Sequence, residues 1–347
     1  MKTMIEAIMK RTSLPALIWL TFLFCGPAFL SGQSGPARWT AREIERRDAA
    51  GQAPEIKPAA AVELYRPVDL VLDGAGLFVL DMDDNSVKVF SREGVFLTMF
   101  GRKGQGPGEF HRPSGLDILG EHLYVADAGN RRIQILDRKG GYRGGFKVPL
   151  SPYRVLALKE DRIIVLSLPS ARSRTEKLLH CYDSQGELLW EAVDPILSGD
   201  SVYDLMRNRL FIRKTCGLEL WLVPGADSRI VRRMSAAGFL LGEIKVDEDY
   251  PVKEIAIAAG AGRKRTLRPF CWNCDLDREI LFLLIPERTE DGDLGPGRTV
   301  AAVDRGGEIR ALVDLPVRVS RLAVEGRTVF GIDLDSRLRL FEVGPGR

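Results

Sequence analysis

From residue 61 onward the chain sets short apolar runs between turn residues, with no sustained helical period. Leu77-Phe78-Val79-Leu80 and Leu123-Tyr124-Val125-Ala126 are compact apolar runs, as in a strand buried on both faces. Val87-Lys88-Val89-Phe90 and Ile133-Gln134-Ile135-Leu136 are β-branched and alternate, as a half-buried strand does. The pattern repeats. Val79 matches Val125, Asp81 matches Asp127, Val87 matches Ile133, Gly94 matches Gly140, Phe96 matches Tyr142 and Phe100 matches Phe146, each pair 46 residues apart. A strand-rich unit recurring every 40 to 50 residues or about that predicts propeller blades.

A turn marker extends the count: Asp or Ser, two residues, Gly, one residue, then an apolar residue. It occurs at Ser91–Gly94–Phe96, Asp137–Gly140–Tyr142, Asp183–Gly186–Leu188, Ser235–Gly238–Leu240 and Asp304–Gly307–Ile309. Gly supplies the positive φ of a hairpin turn, and Asp or Ser bonds the local backbone. Five markers predict five hairpins between third and fourth strands. Val329-Phe330-Gly331-Ile332-Asp333 and Leu338-Arg339-Leu340-Phe341 supply strands of a sixth unit. The expected fold is therefore all-β: a six-bladed β-propeller of four-stranded antiparallel blades. The blades are expected at 67–101, 113–147, 152–193, 205–247, 266–315 and 318–343, with 61–65 as the N-terminal strand completing the last. The rival count, seven blades, splits off residues 200–225.

The stretch FGRKGQGPGEFHRPSGLDILGEHLYVADAGNRRIQILD, from Phe100 to Asp137, resembles the NHL repeat. The glycine-rich lead Gly101–Gly108, Phe110, Pro113, Tyr124-Val125-Ala126-Asp127 and Asn130-Arg131-Arg132 carry the resemblance. Blade one keeps Pro67, Val79-Leu80-Asp81 and Asn85. The chain thus looks like the exported six-bladed NHL-type propellers of bacteria.

The N-terminus agrees with export. Lys2, Lys10 and Arg11 precede an apolar stretch from Leu14 to Leu30, followed by Ser31, Gly32 and Ser34. Charge, apolar core and small residues in that order predict a signal peptide over 1–34, and a periplasmic or secreted mature chain. The alternative is a membrane anchor left uncleaved. Cys25 follows Phe24, where a lipobox needs a small residue. Residues 35–60 read as a leader, with Trp39 to Asp48 suited to a short charged helix. No stable membrane span is expected after cleavage, and the mature chain is expected to be a monomer.

Hydrophobic residues at 45% allow a packed core, so disorder is not the default. Fifty basic residues nearly cancel 47 acidic ones, leaving net charge +3 and no argument for nucleic acid. RNA binding, as in some cytoplasmic NHL proteins, conflicts with export.

No catalytic set emerges. Asp81, Asp83, Asp84 and Asn85 carry enough oxygen to suggest calcium. However, Asp81 recurs as Asp127 and Asp333, which favours a structural cap over a cofactor. Cys271 and Cys274 have the spacing of a redox or metal pair, but read as a local disulfide or two buried thiols. His111, His122 and His180 are too scattered for a zinc-dependent lyase or a Ser–His–Asp triad. A six-bladed lactonase would need Glu, Asn and Asp around a channel cation, and no inner-strand carboxylate set stands out. No metal or other cofactor is expected.

Geometry points instead to the loops. Connections between blades, and those between second and third strands, share one face. That face holds Arg112, Asn130 and Arg131, a basic loop with Arg263, Lys264, Arg265 and Arg268, and an acidic loop with Glu287, Glu290, Asp291 and Asp293. The expected function is an exported binding or scaffold module, engaging a protein, peptide or glycan through this face and the channel mouth. The alternative is a metal-dependent lactonase or lyase with a channel site.

Overall fold

The structure is a computed structural model describing residues 36–44, 62–159, 161–168, 177–215, 219–251, 254–259, 263–290 and 293–345. The expected signal peptide and most of the expected leader lie outside the described residues. Among the described residues, no helix is long and apolar enough to cross a membrane.

Strand β1 (Ala37–Glu43) precedes the ring. Blade one is β2 (Pro67–Asp73), β3 (Gly76–Asp81), β4 (Ser86–Phe90) and β5 (Phe96–Phe100). Blade two is β6 (Gly115–Leu119), β7 (His122–Asp127), β8 (Arg132–Asp137) and β9 (Tyr142–Lys147). Blade three is β10 (Pro152–Leu158), β11 (Arg162–Ser167), β12 (Leu179–Tyr182) and β13 (Leu188–Ala192). Helix α1 (Ser201–Arg207) follows, then blade four: β14 (Leu210–Lys214), β15 (Glu219–Pro224), β16 (Ile230–Ser235) and β17 (Leu240–Lys245). A hairpin, β18 (Ile255–Ala259) with β19 (Arg263–Leu267), leads into β20 (Asn273–Asp277) and β21 (Ile280–Leu284) of blade five. A short hairpin, β22 (Glu287–Arg288) with β23 (Leu294–Gly295), comes before that blade's β24 (Thr299–Val303) and β25 (Ile309–Asp314). Blade six is β26 (Val319–Glu325), β27 (Thr328–Asp333) and β28 (Leu338–Pro345), completed by β1.

Each blade is a four-stranded antiparallel sheet, and the fold is a six-bladed β-propeller. The marker glycines Gly94, Gly140, Gly186, Gly238 and Gly307 all have φ between +77° and +90°. A Cβ at Gly140 would come within 2.4 Å of the Phe100 ring, so both its φ and its neighbour require glycine. Apolar side chains fill the seams between blades. Phe110, fully buried, wedges between blades one and two with Phe78, Leu116 and Val125. Its burial contributes about 1.5–3 kcal/mol.

The ring closes with a different strand from the one expected. β1 pairs antiparallel with β28, Ala41 opposite Val343, and also parallel with β25, Arg38 opposite Leu312. Trp39 and Ala41 turn partly inward while Arg38, Thr40 and Arg42 face solvent, the period of a strand. Charges fix it at both flanks: Arg38 to Asp314 at 3.1 Å, Arg42 to Glu342 at 3.1 Å and Arg339 to Glu43 at 2.9 Å. The expected charged helix over 39–48 is thus corrected to a strand as far as Glu43. The expected closing strand 61–65 is corrected too. Ala61 lies outside the described residues, and 62–64 pair with no strand. Instead Val62 and Leu64 pack into the seam between blades six and one, against Leu70, Phe330 and Leu338. Their backbone finds side chains rather than a ladder: Lys88 Nζ donates to the Glu63 carbonyl at 2.6 Å, and Tyr65 N–H to Asp81 Oδ2 at 2.8 Å.

The residue 200–225 region is α1 plus β14 and β15, the first two strands of blade four, not a seventh blade. Asp200 caps α1 by accepting from Val202 and Tyr203 N–H at 3.1 Å each. Blade five begins at Asn273, later than expected, because Arg263–Leu267 pairs with Ile255–Ala259 in a separate hairpin.

Candidate functional site

The first strand of each blade is an edge strand facing the central channel, so its free N–H and C=O groups need partners. Polar and charged side chains from neighbouring inner strands supply them. Asp69 Oδ2 of blade one accepts Leu116 N–H of blade two at 3.0 Å. Asp117 Oδ2 of blade two accepts Ala157 N–H of blade three at 2.7 Å. Between blades five and six there are three rungs at constant offset. Asn273 Oδ1, Asp275 Oδ2 and Asp277 Oδ2 accept from Leu322, Val324 and Gly326 N–H at 3.1, 2.7 and 2.9 Å. Every second residue of β20 therefore meets alternate N–H groups from Leu322 to Gly326, along β26 and into the turn after it.

Cations serve the carbonyls. Lys214 Nζ donates to the carbonyls of Ile118 and Ala157 at 2.9 and 3.0 Å and to Asp117 Oδ2 at 2.6 Å. Arg213 donates to the Cys274 carbonyl and lies 3.5 Å from Asp275 Oδ1. Burial pushes the carboxyls of Asp117 and Asp275 above their ordinary range, and Lys214 and Arg213 offset only part of the rise. These inner strands enclose a cavity of about 270 Å³. This channel set was missed from sequence. The available signal was an ionisable residue set between apolar ones in a first strand, as in Val68-Asp69-Leu70 and Leu116-Asp117-Ile118.

At the end where the first strands begin, three guanidiniums gather. Arg154 donates to the Ser114 carbonyl, to the Tyr153 carbonyl at 3.1 Å and to the Val68 carbonyl at 3.4 Å. Arg321 Nε donates to the same Val68 carbonyl at 2.7 Å. Arg209 donates to the Trp272 carbonyl at 3.0 Å and lies over the Trp272 ring at 5.2 Å. Burial and the guanidiniums of Arg154 and Arg209 push Arg321 down to about 10. Burial would raise the Tyr153 phenol, but Arg154, Arg209 and Arg321 together hold it below its usual value.

Antiparallel topology puts this channel end on the face of the blade-to-blade and second-to-third-strand connections. That rim carries α1, β18–β19 and β22–β23. Several expected ligand residues there have structural partners. Asn130 Nδ2 donates to Asp127 Oδ2 at 2.8 Å and to the Gly104 carbonyl at 2.9 Å. Arg265 lies 5.1 Å from the Tyr203 ring, and Arg268 pairs with Glu254 at 2.6 Å. Arg112 and Arg131 are exposed with φ near +50°, and Lys264 is exposed. Arg112 N–H donates to Asn85 Oδ1 at 2.8 Å. No ion pair among the described residues engages the side chains of Arg112, Arg131 or Lys264. Of Arg263 only the backbone is described, in β19. The structure does not bring the two groups together: Arg112, Asn130 and Arg131 lie at blade two, the β19 residues between blades four and five. In the acidic loop, Glu287 pairs with Arg318 at 3.3 Å.

The repeated aspartates clamp the segment entering each blade. Asp81 accepts Tyr65 N–H at 2.8 Å, Arg66 N–H at 2.9 Å and the buried Lys88 ammonium at 2.9 Å. Asp127 accepts His111 N–H at 2.7 Å, with Arg132 Nε at 2.8 Å and Gln134 Nε2 at 3.2 Å. Arg132 and Gln134 also bond the glycine-rich lead, at the Gln105, Gly106 and Glu109 carbonyls. The asparagine–arginine motif is thus built into loop structure. Cys271 and Cys274 are free, buried thiols, and Cys271 Sγ donates to the Asn273 carbonyl at 3.0 Å. His111 enters blade two, His122 begins β7 and His180 lies buried in β12.

Residues 67–192 match the family DUF5128, described as a 6-bladed beta-propeller. A search of curated proteins gives no match. Among solved structures, the chain is similar to a protein of Bacteroides fragilis NCTC 9343 described as exported, at 8% identity and TM-score 0.56, covering 89% of this chain and 95% of that one. It is also similar to virginiamycin B lyase of Staphylococcus aureus, at 11% identity and TM-score 0.51, covering 88% and 99%. At such identities the likeness is one of fold, and the chain is a six-bladed β-propeller whose first three blades match the DUF5128 pattern.

Proposed function

We propose that this chain is an exported binding module with repeats of the NHL kind, engaging a protein, peptide or glycan through the insertion-bearing face of the ring. The carrying observation is the placement of the insertions. α1, β18–β19 and β22–β23 all lie on the face that carries the arginine end of the channel, whereas the connections on the opposite face are short turns. Export rests on the charge, apolar and small-residue order of residues 1–34, and the NHL assignment on the Phe100–Asp137 motif.

The lactonase or lyase reading draws support from Asp117, Asp275 and Asp277 in the channel wall. Against it, each of these already accepts a backbone N–H of the next blade. Metal analysis of the purified mature chain separates the two: a stoichiometric, tightly held cation favours the enzyme.

The binding reading is tested with Arg112→Ala/Arg131→Ala/Lys264→Ala, which removes solvent-facing charge without cutting a structural contact. The immobilised mature chain is exposed to an envelope fraction, and the affinity and salt dependence of each captured species are compared with the variant. Weaker binding and a shallower salt dependence in the variant are expected. The same affinity and salt slope for both chains rejects this face.

A further inference from the structure

Several buried and partly buried cations of this protein are matched to carboxylates. Lys88 has Asp81 at 2.9 Å, Arg132 has Asp127 at 2.8 Å, Lys214 has Asp117 at 2.6 Å, Arg233 has Glu219 at 2.9 Å and Arg339 has Asp333 at 2.8 Å. Arg154, Arg209 and Arg321 break the rule. Among the described residues, none of the three has a carboxylate within ion-pair distance, yet Arg154 is only 5% exposed. Their partners are backbone carbonyls: three for Arg154, Val68 and Ser320 for Arg321, and Trp272 for Arg209.

Capping an edge carbonyl does not need a positive charge. The Ser114 hydroxyl does it for the Pro152 carbonyl at 2.7 Å. A guanidinium carries about five N–H donors, so Arg209, with one carbonyl acceptor, keeps most of its capacity unspent. Arg209 Nε and Trp272 Nε1 are both buried without an acceptor. Mutual repulsion is felt within the group, since Arg154 and Arg209 help depress Arg321. Three guanidiniums facing one more distant carboxylate, Asp69, and donors without acceptors define the missing complement. It must be negative, accept hydrogen bonds only, and suit guanidinium forks.

We propose that the channel end formed by Arg154, Arg209 and Arg321 recognises an oxyanion, a carboxylate or a phosphate or sulfate group, carried by the ligand that docks on the surrounding face. This deepens the binding reading and rests on it only for the side from which the ligand arrives. Trp272 and Tyr153 supply the aromatic flanks: Arg209 lies over Trp272, and Arg154 over Tyr153 at 4.4 Å. A group held there would be gripped by blades three, four and six at once, which couples binding to the rigidity of the ring.

Inorganic phosphate, sulfate and malonate serve as probes, with chloride at matched ionic strength as control, read by calorimetry and by thermal unfolding of the mature chain. Saturable binding of at least one probe is expected, with a rise in Tm beyond that given by chloride. The double variant Arg209→Met/Arg321→Met should bind that probe roughly tenfold or more weakly. Malonate responding best assigns a carboxylate, and phosphate or sulfate responding best assigns the tetrahedral anion. No probe binding better than chloride overturns the proposal, as does unchanged affinity in a double variant that circular dichroism shows to be folded. Should the double variant not fold, the single variant Arg209→Met, which gives up one carbonyl bond only, takes its place, and unchanged probe affinity there overturns the proposal equally. The Arg112→Ala/Arg131→Ala/Lys264→Ala chain should retain full probe affinity, so failure of the wider face and failure of the oxyanion site give different results.

Discussion

Lys214, on the inner strand of blade four, reaches past blade three to place its ammonium 2.6 Å from Asp117 Oδ2 of blade two. The same nitrogen bonds the Ile118 and Ala157 carbonyls, so one side chain ties three blades across the channel. Asp117 is buried, and Lys214 is its only cation within ion-pair distance among the described residues.

Lys214→Met should therefore strand a buried carboxylate and cost roughly 3–5 kcal/mol near neutral pH. The cost has a defined pH dependence. Burial already raises Asp117 above its ordinary value of 3.8, and loss of the ammonium raises it further. A carboxyl with a raised folded value is most favourable to the native state when protonated, and that contribution is lost as pH rises from about 3.8 through the raised value. The penalty of the variant should be small near pH 4, where only the two carbonyl bonds are missing, and grow toward pH 7. Urea midpoints of both chains across that range check it. An equal penalty at both ends would show that Lys214 does not serve the Asp117 charge.

What could be read from the sequence follows physical locality. The hairpin markers were legible because one residue type, glycine, must occupy φ near +80° in a fixed turn, as at Gly140. Asp81 and Asp127 were legible because each clamps its own blade, so the same residue recurs at the same offset. The channel charges were not, because their partners belong to other blades. Asp69 serves Leu116, Arg154 serves Val68, and neither offset repeats. Closure by β1 was illegible for a related reason. Its ladder partners, Ala311–Asp314 and Phe341–Pro345, lie at the far end of the chain, and its charges, read locally, resemble those of a solvated helix.

Closure can be tested at Thr40, which stands opposite Asp314 on one side and Gly344 on the other. Wherever its N–H points, it faces a neighbouring strand. Thr40→Pro should remove a ladder bond and force the strand apart, lowering stability by roughly 1–3 kcal/mol. Thr40→Val, exposed and β-branched, should be near neutral. Denaturant midpoints supply the comparison, and limited proteolysis should show earlier cleavage near β28 in the proline variant. If proline is as mild as valine, β1 does not hold blades five and six together.

The cysteines give a direct chemical check on the core between blades four and five. Cys271 and Cys274 belong to one apolar cluster with Phe211, Trp221, Tyr250 and Leu283, and Cys181 lies in the next seam. All three are unbonded and at most 3% exposed. Burial pushes the Cys181 thiol up to about 12 and Cys271 well above its ordinary range, so neither supplies the thiolate that reacts. Burial would raise Cys274 too, but Cys271 and Arg213 hold it below its ordinary value, and its full burial alone shields it from reagent. In the native mature chain a thiol reagent should leave these three untouched, whereas in denaturant without reductant all three should react, together with Cys216. A denatured count two lower, restored by reductant, would mean that the Cys271–Cys274 pair closes as a disulfide instead. Cys274→Ala should then lower the denatured count by one if the thiols are free, and leave Cys271 newly reactive if they are not.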